Sequence, residues 1–142
     1  MLRVTVINAH PRHRIRNKAV VTVVRTVLNK ERRRRADITV IFVDNRYCRR
    51  INKQFLGHDC STDVISFPLE QGKSLEAEVY VNLDRARTQA REYRVTIMNE
   101  VVRLVVHGVL HLAGYDDRNA AQRKRMRARE DAFVRDLAGT SF

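Results

Sequence analysis

Two histidines one helical turn apart, His107 and His111, followed across a glycine by the carboxylates of Asp116 and Asp117, are the residues of this 142-residue chain with the plainest chemistry. An α-helix repeats every ~3.6 residues and rises ~1.5 Å per residue, so both imidazoles project from one face, about 6 Å apart along the axis. One cation can touch both. Gly114 suits the left-handed turn that ends a helix and sends the chain back, so either Asp116 or Asp117 can act as a third ligand. Three protein ligands leave one position for water, whose pKa a bound zinc lowers from ~15.7 toward ~7, as hydrolysis at neutral pH requires. Gly108 follows the first histidine where a metalloprotease helix carries its general-base glutamate, which argues against a peptidase.

These ligands need a rigid support. Val101, Val102, Leu104, Val105, Val106, Val109, Leu110 and Leu112 make the segment around them almost wholly apolar, which predicts a buried helix capped by Thr96. Gly108 costs that helix ~1 kcal/mol relative to alanine, which predicts a close approach to its backbone. Upstream, residues 4–8 alternate as a strand, and residues 17–30 carry Val20, Val23, Val24, Val27 and Leu28 at helical spacing. Residues 38–43 form a continuous apolar strand, 46–54 a short helix, 64–67 a third strand closed by Pro68, and 79–83 a fourth. Asp84 can cap a helix to about Tyr93, and Asn119 can cap the last one, to about Leu137. The pattern is α+β, and the length fits one domain over residues 1–142.

The run His107-Gly108-Val109-Leu110-His111-Leu112-Ala113-Gly114-Tyr115-Asp116 resembles the signature of the YbeY family of bacterial metallo-endoribonucleases, His-Gly-x-Leu-His-Leu-x-Gly-Tyr-Asp followed by a third histidine. A second segment, from Asn52 through Thr62-Asp63-Val64-Ile65-Ser66-Phe67 to Pro68, is similar to the family's Asn-x-x-Tyr-Arg-x-x-Asp-x-Pro-Thr-Asp-Val-Leu-Ser-Phe-Pro. Ala77-Glu78-Val79-Tyr80-Val81-Asn82 and the pair Met126 and Glu130 extend the likeness over most of the chain. The resemblance implies a small mixed four-stranded sheet packed with about five helices, the metal-binding histidines on the central one. It implies a single-strand-specific, zinc-dependent endoribonuclease that matures the 3′ end of small-subunit ribosomal RNA and serves ribosome quality control. Its metal ligands and catalytic residues would be His107, His111 and Asp117, the last in place of the third histidine.

Two positions depart from the family pattern. Leu56 stands where the family carries an arginine associated with action on RNA. Asp117 replaces an imidazole by a carboxylate, which lowers the Lewis acidity of a bound ion and moves preference toward harder cations such as iron or manganese. Zinc remains the expected ion, one per chain, because a carboxylate at ~2.0–2.2 Å is an ordinary zinc ligand. The alternative is a non-catalytic ribosomal-RNA-binding module whose metal site is degenerate or purely structural.

The chain carries 28 Lys plus Arg against 16 Asp plus Glu, a formal charge of +12, which fits a polyanionic partner. The expected partners are single-stranded and ribosomal RNA, with the ribosome or its proteins beside them. Arg123, Lys124, Arg125, Arg127 and Arg129 follow the histidines directly and can contact phosphates, which confers affinity without reading sequence. Asp63, Ser66, Glu100 and Arg103 are further candidates, the last two as orienters of the ligands. Tyr115 fits packing beneath the metal loop better than base stacking, and His58 receives no role. Cys48 and Cys60 suit no disulfide framework, residues 2–7 read as a strand rather than a signal peptide, and no apolar run nears ~20 residues. The expectation is a cytoplasmic protein without membrane contact.

Overall fold

Alternating apolar residues in β1 (Leu2–Asn8) turn Leu2, Val4 and Val6 toward one side of a sheet whose centre is β2 (Ala36–Val43). β2 runs parallel to β1 and to β4 (Leu75–Asn82), while the outer strand β3 (Val64–Gln71) pairs antiparallel with β4. The mixed sheet therefore has the order β1-β2-β4-β3. The computed structural model describes residues 1–72 and 74–138, so the last residues of the expected 1–142 domain lie outside the described ones. Among the described residues five helices accompany the sheet: α1 (Asn17–Lys30), α2 (Asn45–Leu56), α3 (Leu83–Tyr93), α4 (Ile97–Leu112) and α5 (Ala120–Ala138). This is the expected α+β fold.

The continuous apolar run of β2 is explained by burial on both faces, as for a central parallel strand. Ile38, Val40 and Phe42 join the main core with α1 and α4, whereas Ile41 and Val43 pack on the opposite face with Cys48 and Ile51 of α2 and Ile65 of β3. α4 lies at the middle of the molecule, against α1, α3, α5, β3 and β4. No single helix among the described residues is long and apolar enough to cross a membrane.

Two local expectations need correction. Pro68 does not close β3; the strand continues through it with an irregularity between Pro68 and Glu70. An edge strand tolerates a residue without an N–H donor, which a central strand does not. The cap of α3 is Asn82, whose Oδ1 accepts from the N–H groups of Asp84 and Arg85. Asp84 serves elsewhere: its carboxylate bonds His10 Nε2 at 2.8 Å and accepts from the Asn45 N–H at 2.9 Å. The strands also start earlier than their apolar cores suggest, at Leu2, Ala36 and Leu75, because parallel pairing continues into the flanking residues.

Candidate metal centre and its grooves

Thr96 caps α4 by accepting from the Asn99 N–H at 3.0 Å, as its sequence position suggests. At the other end the Tyr115 N–H donates to the Leu110 carbonyl and the Gly114 N–H to the His111 carbonyl, the two bonds of a Schellman motif. Gly114 has φ +110°, a conformation that L side chains rarely adopt. That reversal carries Asp117 back over the last turns of α4.

There Asp117 Oδ2 lies 3.7 Å from His107 Nε2, and Oδ1 lies 3.5 Å from His111 Nε2. One ligand atom from each residue falls within 4.8 Å of the other two. Ligands ~2.0–2.2 Å from a tetrahedral ion stand about 3.3–3.6 Å apart, so this spacing and donor set fit a divalent transition metal. Asp117 rather than Asp116 completes the group; Asp116 is exposed and lines a neighbouring groove.

Behind His107 lies a residue whose role the sequence reading missed. Glu130 of α5 takes the Nδ1–H of His107 on Oε2 at 2.6 Å, leaving Nε2 turned toward Asp117. A carboxylate behind a ligating imidazole fixes its tautomer and raises its basicity. Burial alone would lower the His107 pKa, but the hydrogen bond and charge of Glu130 outweigh it and hold the imidazole above its ordinary value. Arg103 in turn reaches Glu130 at 3.4 Å and Asp131 at 2.8 Å, so it acts on His107 only through Glu130. A signal for Glu130 existed: it is the one acid on the buried stripe of Met126, Phe133, Val134 and Leu137. An acid in such a stripe needs a partner.

The close approach at Gly108 comes from the sheet rather than from a ligand. A Cβ there would lie 2.7 Å from Val79 Cγ1, 3.1 Å from Ser66 Oγ and 3.2 Å from Val64 Cγ2. Ser66 Oγ donates to the Gly108 carbonyl at 3.0 Å, so Ser66 locks the histidine helix to β3 beneath the site.

Three depressions surround the histidines. Arg123, Lys124 and Arg127 flank His107 and Asp117 in one of about 460 Å³. Arg125 faces another side, beside Gly114 and Tyr115. Arg129 lines none of these depressions; it pairs with Glu31 at 2.8 Å and lies over the Phe133 ring. Tyr115 packs against the core, near Glu31 and Arg129. A second groove, about 750 Å³, runs between His111 and the segment after α2, lined by Leu56, His58, Ser61, Asp116 and Arg118.

The third, about 440 Å³, holds Asp63, Gln89, Glu100 and Arg103 beside His107. Gln89 Nε2 donates to Asp63 Oδ2 at 3.3 Å, and its Oε1 is buried without a donor among the described residues. Burial pushes the Glu100 carboxyl up to about 7, with Arg103 opposing and Asp63 and Glu130 adding to the rise. A proton is thus held more tightly in the folded chain than in the unfolded one, so stability falls as pH climbs from about 4.5 through 7. Glu100→Gln is expected to stabilise the protein by about 1–3 kcal/mol at pH 8 and hardly at all at pH 4. Denaturant unfolding at both pH values measures it, and an equal effect at the two would remove the burial argument.

Comparison with known proteins agrees with this architecture. The sequence profile of the family described as Endoribonuclease YbeY matches residues 5–138. The Endoribonuclease YbeY of Chlorobium phaeovibrioides is 43% identical over 119 residues, covering 83% of this chain and 80% of that protein. That of Chlorobium luteolum is 41% identical over 114 residues, covering 80% and 83%. The solution structure of a Thermotoga maritima protein superposes with a TM-score of 0.67 at 28% identity, over 98% of this chain and 90% of that one. With the profile running from within β1 to the end of α5 and such identity across most of its length, this chain belongs to the YbeY endoribonuclease family.

Proposed function

We propose that this protein, as one domain, is a zinc-dependent endoribonuclease that cuts single-stranded RNA in small-subunit ribosomal RNA maturation and ribosome quality control. The observation that carries the reading is the meeting of His107, His111 and Asp117 within 4.8 Å, beside a groove walled by Arg123, Lys124 and Arg127. A divalent ion held by these three residues supplies Lewis-acid polarisation of a phosphoryl oxygen and a water of lowered pKa.

The chain's own residues do the rest. Glu130 orients His107, and Ser66 and the Gly108 contact hold α4 on the sheet, so ligand geometry is set before substrate arrives. Arg123, Lys124 and Arg127 bind the phosphate backbone and bring the scissile phosphodiester to the histidines. Arg118, which lines the groove shared by His111 and Leu56, offers a guanidinium where Leu56 gives no charge.

The test is cleavage of an unstructured RNA by the protein loaded with zinc, then chelated, then carrying His111→Ala, with RNA affinity measured alongside. Zinc-dependent cuts lost in the variant support the reading. Leu56, half exposed at the groove, favours the second reading, a non-catalytic RNA-binding module. Tight binding without metal-dependent cleavage in any sample would select it.

Two substitutions refine the assignment. Asp117→His, which restores a third imidazole, is expected to change zinc affinity at least about tenfold against manganese in a competition assay. Unchanged affinity and preference would remove Asp117 from the ligand set. Replacing Arg123, Lys124 and Arg127 together by glutamine should weaken RNA binding and flatten the log-log salt slope by up to about two units, at ~0.7 per single-strand phosphate contact. Arg125→Gln alone should leave the slope unchanged, since it faces away.

A further inference from the structure

Four aromatic rings make an unbroken series across α2, β4 and the outer strand β3. Tyr47 stacks on Tyr80 at 6.3 Å, Tyr80 meets Phe67 edge-on at 5.8 Å, and Phe67 meets Phe55 at 5.7 Å. The two rings on α2 are at the surface, Phe55 63% exposed and Tyr47 38%, with Leu56 exposed beside Phe55, whereas Phe67 and Tyr80 are partly buried against Ile41, Val43, Ile51 and Ile65 and back them from the sheet. An apolar surface of this kind at a basic rim marks an interaction site. Arg46 and Arg50 stand exposed on the same helix, the Arg50 guanidinium 5.6 Å over the Tyr47 ring, while Arg49 and Lys53, also exposed, share the Asp59 carboxylate at 2.8 and 4.0 Å.

The series also leads somewhere. Leu56, next to Phe55, and Pro68, next to Phe67, both line the groove that holds His111. Rings for base stacking, interleaved with cations for phosphates, are what an unpaired strand requires, and stacking tolerates any base. A protein partner gains little from so many cations unless it is strongly acidic, so the charge favours RNA.

We propose that the surface formed by Tyr47 and Phe55, backed by Phe67 and Tyr80, is a stacking platform for single-stranded RNA, which extends the substrate path from the metal centre onto the outer face of α2. This inference rests on the RNA reading above and adds a second contact region to it. It assigns binding of a long strand to residues remote from the ligands, so affinity and chemistry separate.

The chain lacks tryptophan and has four tyrosines, so tyrosine emission can report stacking directly. The test uses the full chain with oligouridylates of about 4 and 16 nucleotides, with EDTA present for binding and with zinc for cleavage. The expected result is that Tyr47→Ala/Phe55→Ala weakens binding of the longer strand roughly 10-fold or more, since two stacking faces are lost. The same variant should lose most of the RNA-induced tyrosine quenching, raise KM for the longer RNA and leave kcat unchanged. Phe55→Trp in the Tyr47→Ala background should recover part of the affinity.

Equal affinity of wild type and double variant for the longer strand overturns the platform, even if cleavage is intact, and assigns the rings to a protein contact. Failure of the wild type to bind either oligonucleotide instead overturns the RNA reading itself. Both substituted residues are at the surface, and an unchanged melting temperature verifies that the fold is not the cause.

Discussion

Alanine at His107 should leave the purified protein without stoichiometric metal and lower metal-dependent RNA cleavage by at least about 10³-fold, the equivalent of several kcal/mol of lost charge stabilisation. Of the three residues in the candidate metal group, His107 is the one through which the rest of the protein acts on the site. Its Nε2 faces Asp117 and its Nδ1 is held by Glu130 at 2.6 Å, with Arg103 behind. Removing it takes a donor and also leaves Glu130, 8% exposed, without its imidazole partner. Glu130→Gln should be milder. The amide can still accept a hydrogen bond from Nδ1–H but not supply the charge, so metal affinity should fall about 10–100-fold while the ion still binds at excess. Elemental analysis after dialysis, with cleavage rates measured at several zinc concentrations, distinguishes the two cases. If His107→Ala retains a stoichiometric ion, the centre is elsewhere and the catalytic proposal loses its basis.

The second large effect concerns packing. Gly108→Val is expected to destabilise the protein by about 3 kcal/mol, and Gly108→Ala by about 1–2 kcal/mol despite alanine's better helix propensity. The added atoms would meet Val79 Cγ1 at 2.7 Å, and Val79 is fully buried on a central strand with a stiff β-branched side chain. Neither can yield cheaply, so α4 must move off the sheet. The histidines ride on α4, so zinc affinity should fall with stability, although neither variant touches a ligand. Thermal unfolding and zinc titration of both variants measure the pair of effects. A raised melting temperature for Gly108→Ala would mean that the strand side chains relax and helix propensity decides the outcome.

What was legible in the sequence depended on range. Periodicity, apolar runs and capping residues located the nine elements of the described residues because each of these signals is written within a few residues, and the boundaries of α1 came out at residues 17–30 for that reason. The capping of α4 by Thr96 and of the last helix by Asn119 was legible too, since a cap acts three residues away. Pro68 misled because a proline's effect depends on whether its strand is central or at the edge, and that is a property of sheet order. Asp84, expected to cap α3, yields that place to Asn82 for a related reason. Both suit a cap, and the choice was made by His10, which is 74 residues from Asp84 and claims its carboxylate.

The metal centre divides along the same line. The i, i+4 spacing of His107 and His111 and the glycine reversal at Gly114 are local, so the sequence by itself determined that two imidazoles share a face and that a carboxylate returns toward them. Which aspartate returns, that Glu130 stands behind His107, and that Arg129 is held by Glu31 while Arg123, Lys124 and Arg127 line the groove were decided only by the packing of α5 on α4 and by the reach of Arg129 to the cap of α1. Local spacing fixes directions along one helix. Distances between side chains that are 23 residues apart, as His107 and Glu130 are, exist only once two helices have been pressed together by their apolar stripes.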